Sequence, residues 1–515
     1  MNQFVPRTAL LTALFCAVAA SQAQISGPTP LAWRWSYPTA VSPVGKPVIQ
    51  GDNVFTAVGG RMFCLDRKSG NQKWRYPLGD PIPGTFRQGI QAAGNTLYAA
   101  ADNRIIYAID AESGKSKWQY TSPVSFYRSP VTAGNYIAVP LSDDSIMVLN
   151  ADNGSPAWDD AYKVQNGIEG GVAVHNENLI YQTRNYEIVS QNLTTKKINW
   201  RQRLTQTSGD STPVIFGDSI FLNAGTFVGC LSASSGGTKW SQNVGSFLAY
   251  SPAVSDEGVF VVTREGMGTV LDIRNGRPKS RTFMDLKSIA STSPSAAGKM
   301  FVSTGSNGTV NLINPATGSI VWSYLIRPVG KYFAQSTGTG NTGQRQIWTI
   351  PATGQAVLTG QTLMVLAADG SLLAFDPDLG VDVTGPAVKM LWPNPGDQVS
   401  GQPPLEFIFR IEDESTGVND STIAIDMNGS KLDFEFGRDG YAIVRFSSVG
   451  KNKPPFDGRK TITVTVTDWL GNESKKQYTL TIDNTLPPLK RPGSLDAAGA
   501  AGGGAKGGGG GGIGG

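Results

Sequence analysis

One phrase recurs eight times along this 515-residue chain and restricts its fold more than any other feature. It is an apolar strand ending in Asp, Asn or Ser, then a turn, usually a Gly, and in six copies a Trp. The clearest copies read FCLDRKSGNQKW (Phe63 to Trp74), YAIDAESGKSKW (Tyr107 to Trp118), MVLNADNGSPAW (Met147 to Trp158) and NLINPATGSIVW (Asn311 to Trp322). The strand-ending positions are 66, 110, 150, 192, 232, 272, 314 and 376, so successive copies lie 44, 40, 42, 40, 40, 42 and 62 residues apart. About forty residues make one four-stranded antiparallel blade, and such a unit buries its apolar face only against neighbours. The reading is an all-β chain whose residues 31–385 form an eight-bladed β-propeller.

Each part of the phrase has a local chemistry. A Gly four residues after the Asp-like position suits a turn needing positive φ, with the Asp or Asn side chain bonding the turn backbone. A Trp buries roughly 150–250 Å², so Trp74, Trp118, Trp158, Trp200, Trp240 and Trp322 are expected to dock adjacent blades. Copy six has Ser280 at that place, and its fourth strand is expected near Lys279 to Phe283. Copy eight has Thr384 there and then changes composition. The orphan segment LAWRWSYPT (Leu31 to Thr39) resembles the KWRYPLG that follows copy one. It is expected to supply the fourth strand of the eighth blade, bringing Trp35 into the docking set and removing the open edge of the ring.

The remaining segments read differently. Residues 1–23 have the order of a cleaved signal peptide: Arg7, an apolar run from Ala9 to Ala20, then Ser21-Gln22-Ala23. Phe15 before Cys16 disfavours lipid attachment, and no segment is suited to a membrane helix, so a periplasmic or secreted protein is expected. Residues 386–487 alternate as short strands separated by turn signals, which suits a small Ig-like β-sandwich. Residues 488–515 are Gly-rich with nothing to bury and read as a flexible tail. Cys64 and Cys230 occupy the same place in copies one and five, on opposite sides of a ring, and are expected as free buried thiols. A net charge of +4, dispersed along the chain, gives no basis for nucleic-acid binding.

The repeated phrase resembles that of the pyrroloquinoline-quinone-like repeat propellers, a family that includes quinoprotein alcohol dehydrogenases and the propeller subunit of the outer-membrane protein assembly machine. The likeness covers roughly residues 31–385, and the segment after it resembles bacterial Ig-like domains. Membership implies the propeller and blade docking by Trp. The dehydrogenases of the family carry a pair of adjacent cysteines beneath the quinone, which this chain lacks. No segment matches their metal or catalytic positions, so no catalytic, cofactor or metal residue is assigned.

Other chemistry is sparsely represented. His175 is the one histidine, at a strand end, and two separated cysteines with one histidine do not make the usual zinc site. Asp413, Glu414, Asp420, Asp468 and Asp483 are candidates to gather at one end of the sandwich, as calcium ligands or as ordinary turn carboxylates. The loops leading into the innermost strands align Gly45, Arg87, Arg128, Glu169, Ser211, Tyr250, Thr292 and Gly354 around one face. Phe86, Phe126, Tyr127 and Phe247 lie beside them, and a longer loop around Arg327 to Gln355 offers Tyr332, Phe333 and Arg345. Arg with aromatic residues is the usual composition of a binding hot spot. The expected function is an exported non-enzymatic scaffold binding proteins or envelope polymers; the alternatives are a quinone-dependent dehydrogenase and a glycan-binding propeller.

Overall fold

The computed structural model describes residues 24–87, 89–209, 211–327, 350–437 and 440–489. The candidate signal peptide, the Gly-rich tail from residue 490, and Tyr332, Phe333 and Arg345 lie outside these residues. Eight four-stranded antiparallel sheets follow one another as blades. Blade 1 comprises Val48–Gln50, Asn53–Val58, Arg61–Asp66 and Gln72–Tyr76, ordered from the axis outward. Blades 2 to 7 repeat the pattern, with innermost strands Ile90–Ala93, Val131–Ala133, Ile168–His175, Val214–Phe216, Leu248–Ser255 and Ser295–Ala297. Blade 8 takes Val357–Thr359, Thr362–Leu366 and Ser371–Phe375 from the end of the repeat region, and its outermost strand, Leu31–Ser36, from the beginning of the chain.

The hydrophobic cores lie between blades rather than within them. Strand alternation puts apolar side chains on both faces of a blade, and each face is covered by its neighbour. Phe55 and Cys64 of blade 1 meet Leu97 and Tyr107 of blade 2 in one such core. The same arrangement recurs between each successive pair. The ring closes where Met364 and Leu372 of blade 8 pack on Val54 and Phe63 of blade 1. Cys64 and Cys230 are buried free thiols in two different cores, and burial raises the pKa of Cys64 to about 11.

The recurring turn has one geometry. The Gly amide donates to the carbonyl of the Asp-like residue, as from Gly114 to Asp110 at 2.9 Å. The side chain of that residue accepts from the turn itself: Asp110 Oδ1 takes Ser113 N and Oγ at 2.8 Å, and Asn192 Oδ1 takes Thr194 N and Thr195 N at 3.0 and 2.8 Å. These bonds, first among them the Ser113 amide, hold the Asp110 carboxyl below its ordinary range.

Beyond the turn a β-bulge sets the Trp. Trp74, Trp118, Trp200, Trp240 and Trp322 each pair with the residue two before the Asp-like position, with the register shift immediately beside it. In the eighth blade the residue in this register is Trp33, opposite Ala374. Trp33, not Trp35, therefore holds the Trp register of the series; Trp35 also docks blade 8 on blade 1, packing on Phe63 at 4.7 Å between centroids. In blade 6 the outermost strand is only Met284–Asp285, later than the expected Lys279 to Phe283, because Arg277 to Thr282 run irregularly after an isolated bridge from Leu271 to Pro278.

After blade 8 the chain builds a two-sheet sandwich. One sheet contains Ala387–Trp392, Glu406–Glu412, Tyr441–Arg445 and Glu435–Phe436. The other contains Gln398–Val399, Glu473–Ile482, Gly458–Thr467, Ala424–Met427 and Ser430–Lys431. Phe407, Phe409, Val464 and Leu480 form part of the core between them.

One sandwich loop sits on the ring. Leu31 N donates to Ser415 O, Tyr324 Oη to Glu414 O, and Trp322 Nε1 to Thr416 O, all within 2.8–2.9 Å. Arg327 pairs with Glu412 at 2.9 Å beside them. This loop covers Trp322, which is fully buried.

Candidate functional site

The innermost strands leave a cavity of about 740 Å³ along the ring axis, lined by residues from all eight blades. A repeated local device shapes its mouth. Ser129-Pro130, Thr212-Pro213, Ser251-Pro252 and Ser293-Pro294 each stand just before or within an innermost strand. Proline suits a strand edge because it lacks the donor that an unpaired edge would leave unsatisfied. The hydroxyls tie blade to blade: Ser251 Oγ accepts from Thr212 N at 2.8 Å, and Ser293 Oγ accepts from Ser251 N at 3.2 Å. Gln355 Nε2 reaches Pro294 O at 3.0 Å, continuing the connection toward blade 8.

Close approach at the ring closure depends on small residues. A side-chain carbon at Gly354 would lie 1.8 Å from Gly45 O, and one at Gly45 would lie 2.6 Å from Gly89 Cα. These glycines serve packing at the axis, so their place in the aligned loop series has a structural explanation.

Of the eight aligned positions, Gly45, Arg128, Tyr250, Thr292 and Gly354 line the cavity. Arg128 lies over the Tyr127 ring at 4.6 Å and donates from Nη2 to Gly209 O at 2.7 Å. Tyr250 has φ of +59°, and its carbonyl accepts from Asn223 Nδ2 at 2.8 Å. Arg87 stands away from the cavity, with Nε 3.4 Å from Asp102. Glu169 lies 3.8 Å from Arg184, and Ser211 is completely buried. The aromatic neighbours separate similarly. Phe86 and Phe126 are buried plugs in the inter-blade cores, whereas Phe247 is 52% exposed.

Backbone bonding explains that division. Phe86 N donates to Gly59 O and Leu248 N to Gly225 O, drawing this position inward against a hairpin. The preceding residue is left outward: Phe247 and Ile289 accept through their carbonyls from Arg264 N and Ser306 N, and both side chains are more than half exposed.

Sequence reasoning missed Lys46. It precedes Pro47 where four of the other loops have Ser129, Thr212, Ser251 or Ser293 before proline, and a K-P among these hydroxyl-P pairs was the available signal. Lys46 lines the same cavity as Arg128, while no Asp or Glu among the described residues does. The site therefore combines two cations, a belt of hydroxyls and amides, and the Tyr250 ring. Such a surface can receive carboxylates and backbone carbonyls of a partner.

The sandwich carboxylates assemble differently from the expected set. Asp413 and Asp468 come together with Asp382, their oxygens within 4.8 Å; Glu414, Asp420 and Asp483 are not part of this group. Asp413 Oδ1 accepts the amides of Ser415, Thr416 and Gly417 at 2.8–3.0 Å, and Asp468 accepts from Leu470 and Asn472. Asp382 accepts from the Thr416 hydroxyl. Burial, joined by the nearby Asp382 charge, raises the Asp413 pKa despite those amides. His175 stands apart, 4.0 Å from Asp218 at the outer end of its strand.

The family profile described as outer membrane protein assembly factor BamB matches residues 29–228 and 207–332. The chain belongs to that family. A BamB of Moranella endobia is 24% identical over 253 residues, covering 45% of this chain and 65% of that protein. The BamB of Yersinia pestis is matched over 57% of its length, so these two relatives are covered over less than two thirds of their own length. The BamB of Burkholderia pseudomallei is 22% identical over 350 residues, covering 64% of this chain and 84% of that protein. Among solved structures, BamB from Moraxella catarrhalis superposes with a TM-score of 0.51 at 13% identity, over 66% of this chain and 100% of that one. The computationally designed Ika8 protein reaches the same TM-score at 12% identity, over 66% of this chain and 98% of its own. These likenesses establish the propeller. Activity belongs to sites placed on such a frame, not to the frame.

Proposed function

We propose that this propeller is a non-enzymatic scaffold of the cell envelope that holds protein partners during the assembly of outer-membrane proteins. The observation carrying the reading is the axial cavity, to which all eight blades contribute and which presents Lys46 and Arg128 without a lining carboxylate among the described residues. The role for which the related proteins are named, outer membrane protein assembly factor, supplies the process. Phe247 and Ile289 add exposed apolar contacts in the loops that join the outermost strand of one blade to the innermost strand of the next. Residues 1–23, read as an export signal, are consistent with this location, and no helix among the described residues is long and apolar enough to cross a membrane.

The test is site-specific photo-crosslinking in the native host from positions 247 and 289, with position 216, at the opposite end of its innermost strand, as a comparison, followed by mass spectrometry. The expected result is recovery of outer-membrane assembly proteins from positions 247 and 289 and not from 216, diminished by Lys46→Glu without a change in melting temperature. Recovery of none, or equal recovery in the Lys46→Glu protein, refutes the assignment of this face.

A further inference from the structure

The seven docking tryptophans define a receptor by example. Nε1 of Trp33, Trp74, Trp118, Trp158, Trp200 and Trp240 donates to a carbonyl one residue after the Asp-like position of the next blade, at 2.7–3.2 Å. Trp322 does so to the sandwich loop at 2.8 Å. At five of these places the indole lies directly against the turn glycine. A side-chain carbon added at Gly70, Gly114, Gly154, Gly236 or Gly276 would come within 2.4–2.6 Å of the ring.

Between blades 6 and 7 the same receptor is present without its indole. Gly318 has φ of +63°, like the others, but the nearest atom to its would-be side chain is Ser280 Cβ at 3.6 Å. The register is unmistakable. Lys279 donates to Glu257 O, as Lys73, Lys117 and Lys239 donate to the equivalent carbonyls of Asp52, Asn95 and Asp218. Each of those lysines precedes a Trp; Lys279 precedes Ser280. The Ser280 hydroxyl turns back to Thr282 O at 3.0 Å. The carbonyl that would accept an indole N–H is that of Pro315, which accepts no hydrogen bond among the described residues.

What remains is a cavity of about 120 Å³ bounded by Gly268, Val270, Met284, Ser280, Thr317 and Gly318. An enclosed apolar cavity of about 150 Å³ elsewhere holds a benzene ring; this slot is somewhat smaller and open on one side, so an indole seated on Gly318 keeps part of its ring at the surface. It opens to the outer wall of the ring, where Lys279, Thr282, Ala316 and Thr317 are exposed. The surrounding sequence DIRNGRPKSR carries Arg274, Arg277, Lys279 and Arg281, all exposed and none within ion-pair distance of a carboxylate among the described residues.

We infer that the blade 6–blade 7 slot binds a tryptophan side chain presented by an acidic segment of a partner protein. The indole takes the place left by Ser280, stacks on Gly318 and donates its N–H to Pro315 O, while carboxylates on either side meet the basic wall. The site is separate from the axial cavity, so it stands or falls independently of the scaffold role proposed for that face.

The experiment titrates the full chain by calorimetry with N-acetyltryptophanamide, with an acidic hexapeptide containing one Trp, and with the same peptide carrying Leu. The expected order is Trp peptide tightest, N-acetyltryptophanamide weaker, and Leu peptide at least about tenfold weaker than the Trp peptide. Ser280→Trp places the chain's own indole in the slot; it should raise the melting temperature and abolish binding of both Trp probes. Arg277→Glu with Arg281→Glu should weaken the peptide while leaving N-acetyltryptophanamide unchanged. Should Ser280→Trp fail to fold, methyl-labelled methionine NMR gives an independent reading. The Met284 signal, assigned through Met284→Leu, should move when N-acetyltryptophanamide is added. No binding at millimolar ligand, binding unaltered in Ser280→Trp, or an unmoved Met284 signal overturns the inference and leaves the slot holding water only.

Discussion

Gly114→Ala and Gly318→Ala form a matched pair that isolates the Trp–Gly contact. Both glycines are left-handed, with φ of +68° and +63°, so alanine costs about 1–2 kcal/mol of backbone strain at either. The surroundings differ. At Gly114 the new carbon would lie 2.6 Å from Trp74 Cδ2, forcing the indole off its seat and endangering the bond to Ala111 O. Overpacking of that kind adds about 1–3 kcal/mol. At Gly318 the nearest atom is 3.6 Å away, an ordinary contact, and no such addition is expected. Gly114→Ala should therefore exceed Gly318→Ala by about 2 kcal/mol. Over the roughly 350 residues of ring from 31 to 376, an unfolding entropy of about 2.1 cal/mol/K per residue converts this to ~3 °C. Calorimetry and urea unfolding give the difference directly. A cycle with Trp74→Ala completes it: once the indole is gone, Gly114→Ala should cost no more than Gly318→Ala. Equal losses for the two single variants, or strict additivity in the cycle, would refute the docking argument.

Two further predictions concern the closure and the sandwich. Deleting residues 31–36 removes the partner strand of Ser371–Phe375 and exposes Val54, Phe63 and Leu372; loss of the single cooperative melting transition is expected, and an unchanged melt contradicts the closure. Asp413→Asn keeps an oxygen for the three amides but removes the charge beside Asp382. Because the folded Asp413 pKa is raised, the folded state holds its proton more tightly and stability is lost as pH rises from the unfolded carboxylate pKa through the folded one. The Asn variant should thus melt higher than the parent at pH 7, with the gap vanishing at pH below about 3.8; a constant gap across that range would show that charge is not the cause.

The propeller was legible because its determinants are local. Asp110 and Gly114 bond within one turn and Trp118 pairs with Ala108 ten residues back, and the phrase repeats often enough to count. The choice between Trp33 and Trp35 was not legible. Two residues apart, they share a strand face, and only the bulge beside Trp33 decides which lies on the next blade's turn. Phe86 and Phe126 looked like rim aromatics because sequence does not show the Phe86 amide bond to Gly59 or the bridge from Phe126 to Leu141 that hold them inward. Lys46 was hidden in a loop whose neighbours suggested only turns. The Trp322 bond to Thr416, formed between residues 94 apart in the chain, has no local signature at all.

The strand Leu31–Ser36 has a consequence for the order in which this protein is made. Its partner, Ser371–Phe375, is synthesised more than three hundred residues later, and the Leu31 amide is not fully engaged until Ser415 has followed. Such a distant pairing is slow to form and leaves an unprotected edge in the meantime. A nascent chain thus carries the backbone edge of Leu31–Ser36 unpaired through seven blades of synthesis, although Arg67 and Phe63, the blade 1 partners of Trp33 and Trp35, follow within forty residues. The last event in assembly joins its oldest strand to its newest, and an interrupted chain lacks the piece that makes the circle complete.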